Sequence, residues 1–101
     1  MIVTVVEAPV PREKRADLVR HYERIVAGRS HVVVQTLLLC CARDDRYWRI
    51  TTLQADDDVL NEEMYEPASV DVFRSVGIEP ESISHFRIVS HVHGAVHTPR
   101  D

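Results

Sequence analysis

The stretch HVVVQTLLLCCARDDRYWRITTL, residues 31–53, decides the fold of this chain. Residues 32–41 are apolar at nearly every position, which is typical of a strand that buries both of its faces. A polar turn at residues 42–46 follows, and residues 47–53 are rich in the aromatic and β-branched residues that strands favour. The stretch therefore predicts a β-hairpin whose first strand needs cover on both sides.

A strand and a helix are predicted on the N-terminal side of this hairpin. Residues 2–6 form a short apolar strand, and Pro9 and Pro11 end it and open a helix over residues 12–27. Gly28 supplies the stop signal of this helix. Its apolar residues recur with a period of 3.6 and predict one buried face: Leu18, Tyr22, Ile25 and Val26.

A broken helix and a last strand are predicted on the C-terminal side. Residues 55–58 supply an N-cap and first-turn acids for a helix, and Pro67 interrupts it. A second helical piece covers residues 68–76 and ends at Gly77. Residues 84–92 alternate between apolar and polar side chains and predict a strand.

The resulting order, β-α-β-β-α-β, predicts an α+β fold of the ferredoxin-like type. In that fold two helices lie on one face of a four-stranded antiparallel sheet. We expect one domain over residues 1–93, with a C-terminal tail over residues 94–101. Because the apolar strand also needs cover on the face without helices, we expect a homodimer in which a second copy supplies it.

The length, hydrophobic content and net charge of the chain limit the partners that are expected. A chain of 101 residues with 45% hydrophobic residues is long enough for one core. A net charge of −4 without a basic patch argues against a nucleic-acid partner. No run approaches the ~20 apolar residues of a membrane helix, so we expect no membrane partner and a cytoplasmic location by default.

The two cysteines, Cys40 and Cys41, are adjacent in a predicted strand. Neighbouring side chains of a strand point to opposite faces, so these thiols are badly placed to form a disulfide with each other. The apolar residues that precede them favour two small buried hydrophobic side chains over a catalytic thiol.

The phase of the strands predicts which side chains face away from the helices. In the third strand the bulky Trp48, Ile50 and Thr52 are the better core set, which leaves Arg49 and Thr51 on the open face. In the last strand the same reasoning assigns two alternating sets. Phe86, Ile88, Ser90 and Val92 are expected to face the helices, and His85, Arg87, Val89 and His91 the open face. An apolar face with a few convergent polar groups is typical of a small-molecule pocket.

The pattern resembles the antibiotic biosynthesis monooxygenase family of dimeric α+β barrels. The resemblance rests on the element order, on residues 47–53 running into an acidic helix start, and on residues 64–67 before a helix that contains Phe73. It implies two sheets closed face to face into a barrel, with a pocket between the sheet and the helices of each subunit. It further implies a cofactor-free oxygenase of a small aromatic, polyphenolic or quinol-like compound.

The sequence departs from that family at two positions. Family members often carry a Trp at the end of the third strand, where this chain has Leu53, and a His on the following helix, where it has Glu63 or Met64. That His is the iron ligand of the haem-degrading branch. The departures therefore disfavour haem, and no cofactor is expected.

Five polar side chains and one histidine make up the predicted site. We expect His85 to act as the base and Arg49 and Arg87 to hold anions, while Thr51, Tyr65 and Glu63 bind the substrate. The alternative for each arginine is a salt bridge to an Asp or Glu of the partner subunit across the dimer, and the alternative for His85 is a solvated strand start. A non-catalytic small-ligand binding or sensing dimer is the competing function.

A third possibility is metal binding through histidines near the C-terminus. His91 and His93 stand at i and i+2, on one side of a strand, and His97 follows. Imidazole suits zinc, copper or nickel, but the ordinary alternative is a polar strand end that runs into an exposed tail. We therefore assign no metal site from the sequence.

Overall fold

The structure is a computed structural model, and it describes residues 1–27, 33–54 and 68–92. A 3₁₀ turn, Arg12–Lys14, precedes the first helix. The strands and α-helices follow in the predicted order: β1 Ile2–Pro9, α1 Arg15–Ala27, β2 Val33–Cys40, β3 Tyr47–Gln54, α2 Ala68–Ser75 and β4 Ser82–Arg87. The predicted helix before Pro67 lies outside the described residues, as does the tail. Neither α1 nor α2 has the length and hydrophobicity that a membrane crossing requires.

The four strands form one sheet in the order β2-β3-β1-β4, and every neighbouring pair is antiparallel. This topology confirms the predicted ferredoxin-like α+β fold. β4 ends at Arg87, five residues earlier than predicted, because its pairing with β1 ends where Arg87 lies opposite Ile2. The backbone N–H of Ile88 still donates to the carbonyl of Met1, at 3.1 Å.

The core lies between α1, α2 and one face of the sheet. Val6 of β1 and Ile50 of β3 are directly paired and fully buried, and Leu18 and Phe73 cover them from the two helices. Each such side chain contributes about 1.5–3 kcal/mol through burial. This face is called the helix-covered face below, and the opposite one the open face.

Gly77 ends α2 with a left-handed residue, as the sequence predicts. Its φ is +76°, and its N–H donates to the carbonyl of Arg74 at 2.9 Å. The N–H of Ile78 donates to the carbonyl of Phe73 at 3.0 Å, which turns Ile78 back into the core. The glycine is required because a Cβ disfavours this conformation.

The hairpin turn between β2 and β3 is held by side chains of its own. Arg46 donates two hydrogen bonds of 2.9 Å to the carboxylate of Asp44, and this side-chain hydrogen bonding lowers the pKa of Asp44. The indole N–H of Trp48 donates to the carbonyl of Asp45 at 3.0 Å. The predicted hairpin is therefore confirmed.

One expectation about β2 and its end is wrong for the single chain. Cys40 and Cys41 are exposed, because β2 is an edge strand and both residues stand at its end. Leu38 packs against the core, whereas Leu37 and Leu39 are 47% and 39% exposed on the open face. One chain thus covers only one face of this strand.

Candidate functional site

A row of polar side chains crosses the helix-covered face of the sheet. Residues that are directly paired on neighbouring strands lie on the same face. Thr36 of β2 is opposite Thr52 of β3, which is opposite Thr4 of β1, which is opposite His85 of β4. Thr4 is 0% exposed and Thr52 8%. We call these four residues the polar row.

The rows on either side show that polarity is concentrated at one end of this face. The next row toward the hairpin turn is apolar throughout and consists of Leu38, Ile50, Val6 and Ile83. The row on the other side places Gln54, which is 3% exposed, opposite Ile2, and Ile2 opposite Arg87. The helix-covered face is therefore a hydrophobic core at one end and polar at the other.

Hydrogen bonds tie the polar row to its surroundings. Thr4 Oγ1 and His85 Nδ1 are hydrogen-bonded at 2.9 Å, so a fully buried hydroxyl is partnered by an imidazole at the sheet edge. Thr36 Oγ1 donates to the carbonyl of Thr51 at 3.0 Å. The Tyr22 hydroxyl donates to Thr36 Oγ1 at 3.3 Å, which connects α1 to the row.

Ser69 adds a further buried hydroxyl, from the first turn of α2. It is 4% exposed, and its Oγ has no hydrogen-bond partner among the described residues. A buried hydroxyl without a partner costs about 1–3 kcal/mol. A ligand with a polar group would supply the partner that Ser69 lacks among the described residues.

The predicted phase of the last strand is wrong. His85 and Arg87 lie on the helix-covered face, opposite the buried Thr4 and Ile2, and Phe86 lies on the open face opposite Val3. Phe86 is 57% exposed. The prediction placed Phe86 inward because it is the largest apolar side chain of the strand. In the structure β4 is an edge strand, and His85 faces inward instead and is hydrogen-bonded to Thr4.

The predicted phase of β3 is correct, since Arg49 and Thr51 lie on the open face opposite Glu7 and Val5. Arg49 Nη2 is 2.5 Å from Glu7 Oε1, and the two side chains are 50% and 31% exposed. The anion expected at Arg49 is thus a carboxylate of the same chain. The sheet separates Arg49 and Thr51 from His85 and Arg87, and Glu63 and Tyr65 lie outside the described residues.

The open face carries a broad hollow of about 700 Å³ near the start of β1. Most of its lining is apolar, and its polar residues are Gln35, Thr36, Thr51, Thr52 and His91. Representative lining residues are Met1, Val3, Leu37, Leu53 and Ile88. His93 and His97, the other candidate metal ligands, lie outside the described residues. In the part of the chain that the structure describes, no three His, Cys, Asp or Glu side chains are grouped as metal ligands would be.

Sequence reasoning missed most of the polar row and its neighbours. Thr4 stands in the apolar run of β1, and Thr52 and Gln54 continue the inward phase of β3. The available signal was a polar residue at a position whose periodicity predicts burial. Thr52 was predicted to face inward, but as a core residue, and the predicted site residues His85 and Arg87 were assigned to the opposite face.

Solved structures with the same fold come from several organisms. A protein described as an antibiotic biosynthesis monooxygenase has a TM-score of 0.64 and 9% identity, covering 89% of this chain and 100% of its own. A Deinococcus radiodurans protein provisionally assigned to the same class has a TM-score of 0.69 and 10% identity, covering 94% and 99%. Rv0793 from Mycobacterium tuberculosis has a TM-score of 0.65 and 9% identity, covering 91% and 98%.

These similarities confirm the resemblance to the antibiotic biosynthesis monooxygenases at the level of the fold, over nearly the whole chain. No protein-family model matches the sequence, and no curated protein matches it. Because the identities are about a tenth, the chemistry has to be argued from the residues of this chain.

Proposed function

We propose that this chain binds a small ionisable aromatic or quinol-like compound at the polar row and oxygenates it without a cofactor. The observation that carries the proposal is the hydrogen bond between the buried Thr4 hydroxyl and His85. It fixes an imidazole at the edge of an otherwise covered polar region. The fold that this chain shares with proteins named as monooxygenases also supports an oxygenase function.

His85 is proposed as the base, because a neutral imidazole nitrogen can accept a proton from a phenol or enol. If Nδ1–H donates to Thr4 Oγ1, then Nε2 is unprotonated and available to the substrate. Thr4 is in this account a positioning residue, since it holds the ring and its tautomer. Arg87, two residues along the same strand and on the same face, is proposed to attract the resulting anion.

The ionised substrate itself then reacts with molecular oxygen. An ionised phenol or enol is electron-rich enough to reduce molecular oxygen, so a CH₂ group becomes a carbonyl while the second oxygen atom leaves as water. The substrate supplies all four electrons. The protein holds the anion, removes the first proton and keeps water away from the reacting carbon.

The homodimer remains a proposal, and the open face is its proposed interface. Leu37, Leu39 and Phe86 are exposed there, and contiguous apolar patches of several hundred Å² mark association sites. A second copy packed against this face would cover the side of β2 that the single chain leaves exposed. Arg49 and Glu7 would then form an ion pair at the edge of the interface.

The test of function is oxygen uptake by the metal-stripped protein with a panel of quinols and polyphenols. We expect uptake that is lost on His85→Gln and retained on His91→Gln, the matched histidine on the open face. Equal loss in both variants, or uptake independent of both, would contradict the assignment of His85.

A non-catalytic ligand-binding function is the second candidate, favoured by the apolar hollow of the open face. It predicts that a panel compound binds without oxygen consumption. In that case Thr51→Val should weaken binding and Thr4→Val should leave it unchanged, because Thr51 lines the hollow and Thr4 is not among its lining residues.

A further inference from the structure

The hydroxyl of Ser69, in the first turn of α2, has no role in the mechanism proposed above. It is 4% exposed, and its Oγ has no hydrogen-bond partner among the described residues. The other serine of this helix, Ser75, shows the usual arrangement, since its hydroxyl donates to the carbonyl of Val72 at 2.6 Å. A buried hydroxyl without such a bond can gain one when a ligand binds beside it.

The first helix shows how the helices are aligned with the sheet. Near its start, Arg15 Nε donates to the carbonyl of Val10, and the N–H of Val10 donates to the carbonyl of Arg46 in the hairpin turn. Further along the helix, the Tyr22 hydroxyl donates to Thr36 of the polar row. α1 therefore runs from the hairpin end of the sheet toward the polar row.

The second helix packs against the first and runs in the opposite direction. Its end lies beside the start of α1, because Lys14 Nζ is 3.3 Å from the position that a Cβ on Gly77 would occupy. Ser69 lies nearly two turns before the end of α2, a distance of about 9 Å at 1.5 Å per residue. The first turn of α2 is therefore displaced from the hairpin end toward the level of the polar row.

The side chain of Ser69 faces the part of the sheet that holds His85. Ser69 and Phe73 stand at i and i+4, so they share one face of α2, and Phe73 packs in the core with Val6 of β1. α2 contacts β1, whereas α1 contacts β2. One helical turn, about 5.4 Å, is close to the spacing of about 6.6 Å between successive rows on one face of a sheet. The row after Val6 holds Thr4 and its partner His85, so Ser69 lies above this pair.

We infer that Ser69 determines the specificity of this site and that its hydroxyl forms a hydrogen bond with a second oxygen of the ligand. The inference rests on the proposed function, because it concerns the same ligand. His85 belongs to the sheet and Ser69 to the helix layer, so the two groups approach the ligand from different sides. A ring with two oxygen substituents satisfies both groups, whereas a ring with one leaves a buried hydroxyl unpaired. The ligand class is therefore a dihydroxylated aromatic ring.

The test compares two probes of similar size, hydroquinone and 4-methylphenol, in which a methyl group replaces one hydroxyl. Dissociation constants are measured by calorimetry on the full chain, without oxygen so that neither probe is consumed. We expect the wild type to bind hydroquinone about tenfold more tightly than 4-methylphenol, the effect of one hydrogen bond. Ser69→Ala should weaken hydroquinone binding about tenfold and leave the binding of 4-methylphenol unchanged.

Ser75→Ala is the matched control, because it removes a hydroxyl of the same helix that already has a partner. It should retain the tenfold preference for hydroquinone. Ser69→Ala should also have a melting temperature at least as high as that of the wild type, since it breaks no hydrogen bond among the described residues. A lower melting temperature together with weaker binding of both probes would mean that Ser69 is structural and would overturn the inference.

The remaining outcomes separate this inference from the proposed oxygenation. A wild type that binds neither probe, or that binds both equally, overturns the role of Ser69, and so does an unchanged affinity of Ser69→Ala for hydroquinone. If oxygen uptake still depends on His85 in that case, the proposed function stands without the inference. If the preference for hydroquinone depends on Ser69 but no oxygen is consumed, the inference stands and the oxygenation is wrong.

Discussion

On the helix-covered face of the sheet, Thr4 is 0% exposed, while on the open face Phe86 is 57% exposed. These residues lie on adjacent strands, and their exposures are the reverse of what their polarity favours. Each reversal carries a cost that a second molecule can offset. The buried polar row would gain from a small ligand with polar groups, and the exposed apolar face would gain from a second copy of the chain.

The largest effect should come from a charge on the helix-covered side of β2. Leu38→Asp places an unpaired carboxylate against the core, which we expect to cost about 3–5 kcal/mol of the free energy of unfolding. Leu37→Asp is the matched control, one residue along the strand on the open face. Denaturant titration should show a folded Leu37 variant and a largely unfolded Leu38 variant; equal losses would mean that the two faces do not differ as described.

A charge at Phe86 should separate association from folding. Phe86→Glu is expected to leave the chain folded but to weaken the proposed dimer by about 2–4 kcal/mol, the range of an interface hot spot. Sedimentation at micromolar concentration should show the wild type at twice 11.6 kDa and the variant at 11.6 kDa. A monomeric wild type would contradict the proposed interface, and an unfolded variant would mean that Phe86 belongs to the core.

Thr4→Val should separate function from stability. Valine keeps the shape of the buried side chain and removes the hydroxyl that bonds to His85, so stability should change by no more than about 1 kcal/mol. Oxygen uptake should fall by about tenfold, in line with the loss of one hydrogen bond near 1.4 kcal/mol. Thr51→Val on the open face serves as the control and should retain activity.

The smallest effect is expected at the ion pair of the open face. Glu7→Gln removes the carboxylate beside Arg49, but because both side chains are partly exposed, the cost should stay below about 1 kcal/mol. Thermal unfolding at low and high salt measures it, and the difference between variant and wild type should shrink as salt rises. A loss of several kcal/mol would indicate a buried pair.

The sequence was sufficient for the architecture because each element carries a local signal. The 3.6-residue period predicts α1, the glycine with positive φ ends α2, and the polar turn between two apolar runs predicts the hairpin. The phase of β3 was also predictable, because Trp48 and Ile50 form a clear inward set.

The candidate site was less predictable, because its residues depend on pairing between distant segments. Thr4 and His85 are 81 positions apart, and only the register of β1 with β4 shows that they touch. At β4 the hydrophobic pattern favours burial of Phe86, but an edge strand with an uncovered face can expose such a side chain. The same reasoning explains why Cys40 and Cys41 were expected to be buried.

We propose that the ligand binds at the polar row and that the open face does not receive it. Nuclear magnetic resonance of threonine methyl groups and histidine rings, during titration with a quinol that the protein binds, tests it directly. We predict that the signals of Thr4 and His85 move, while those of Thr51 and His91, which line the open-face hollow, stay in place. Movement of Thr51 and His91 with Thr4 and His85 unchanged would contradict the claim and assign the ligand to the open face.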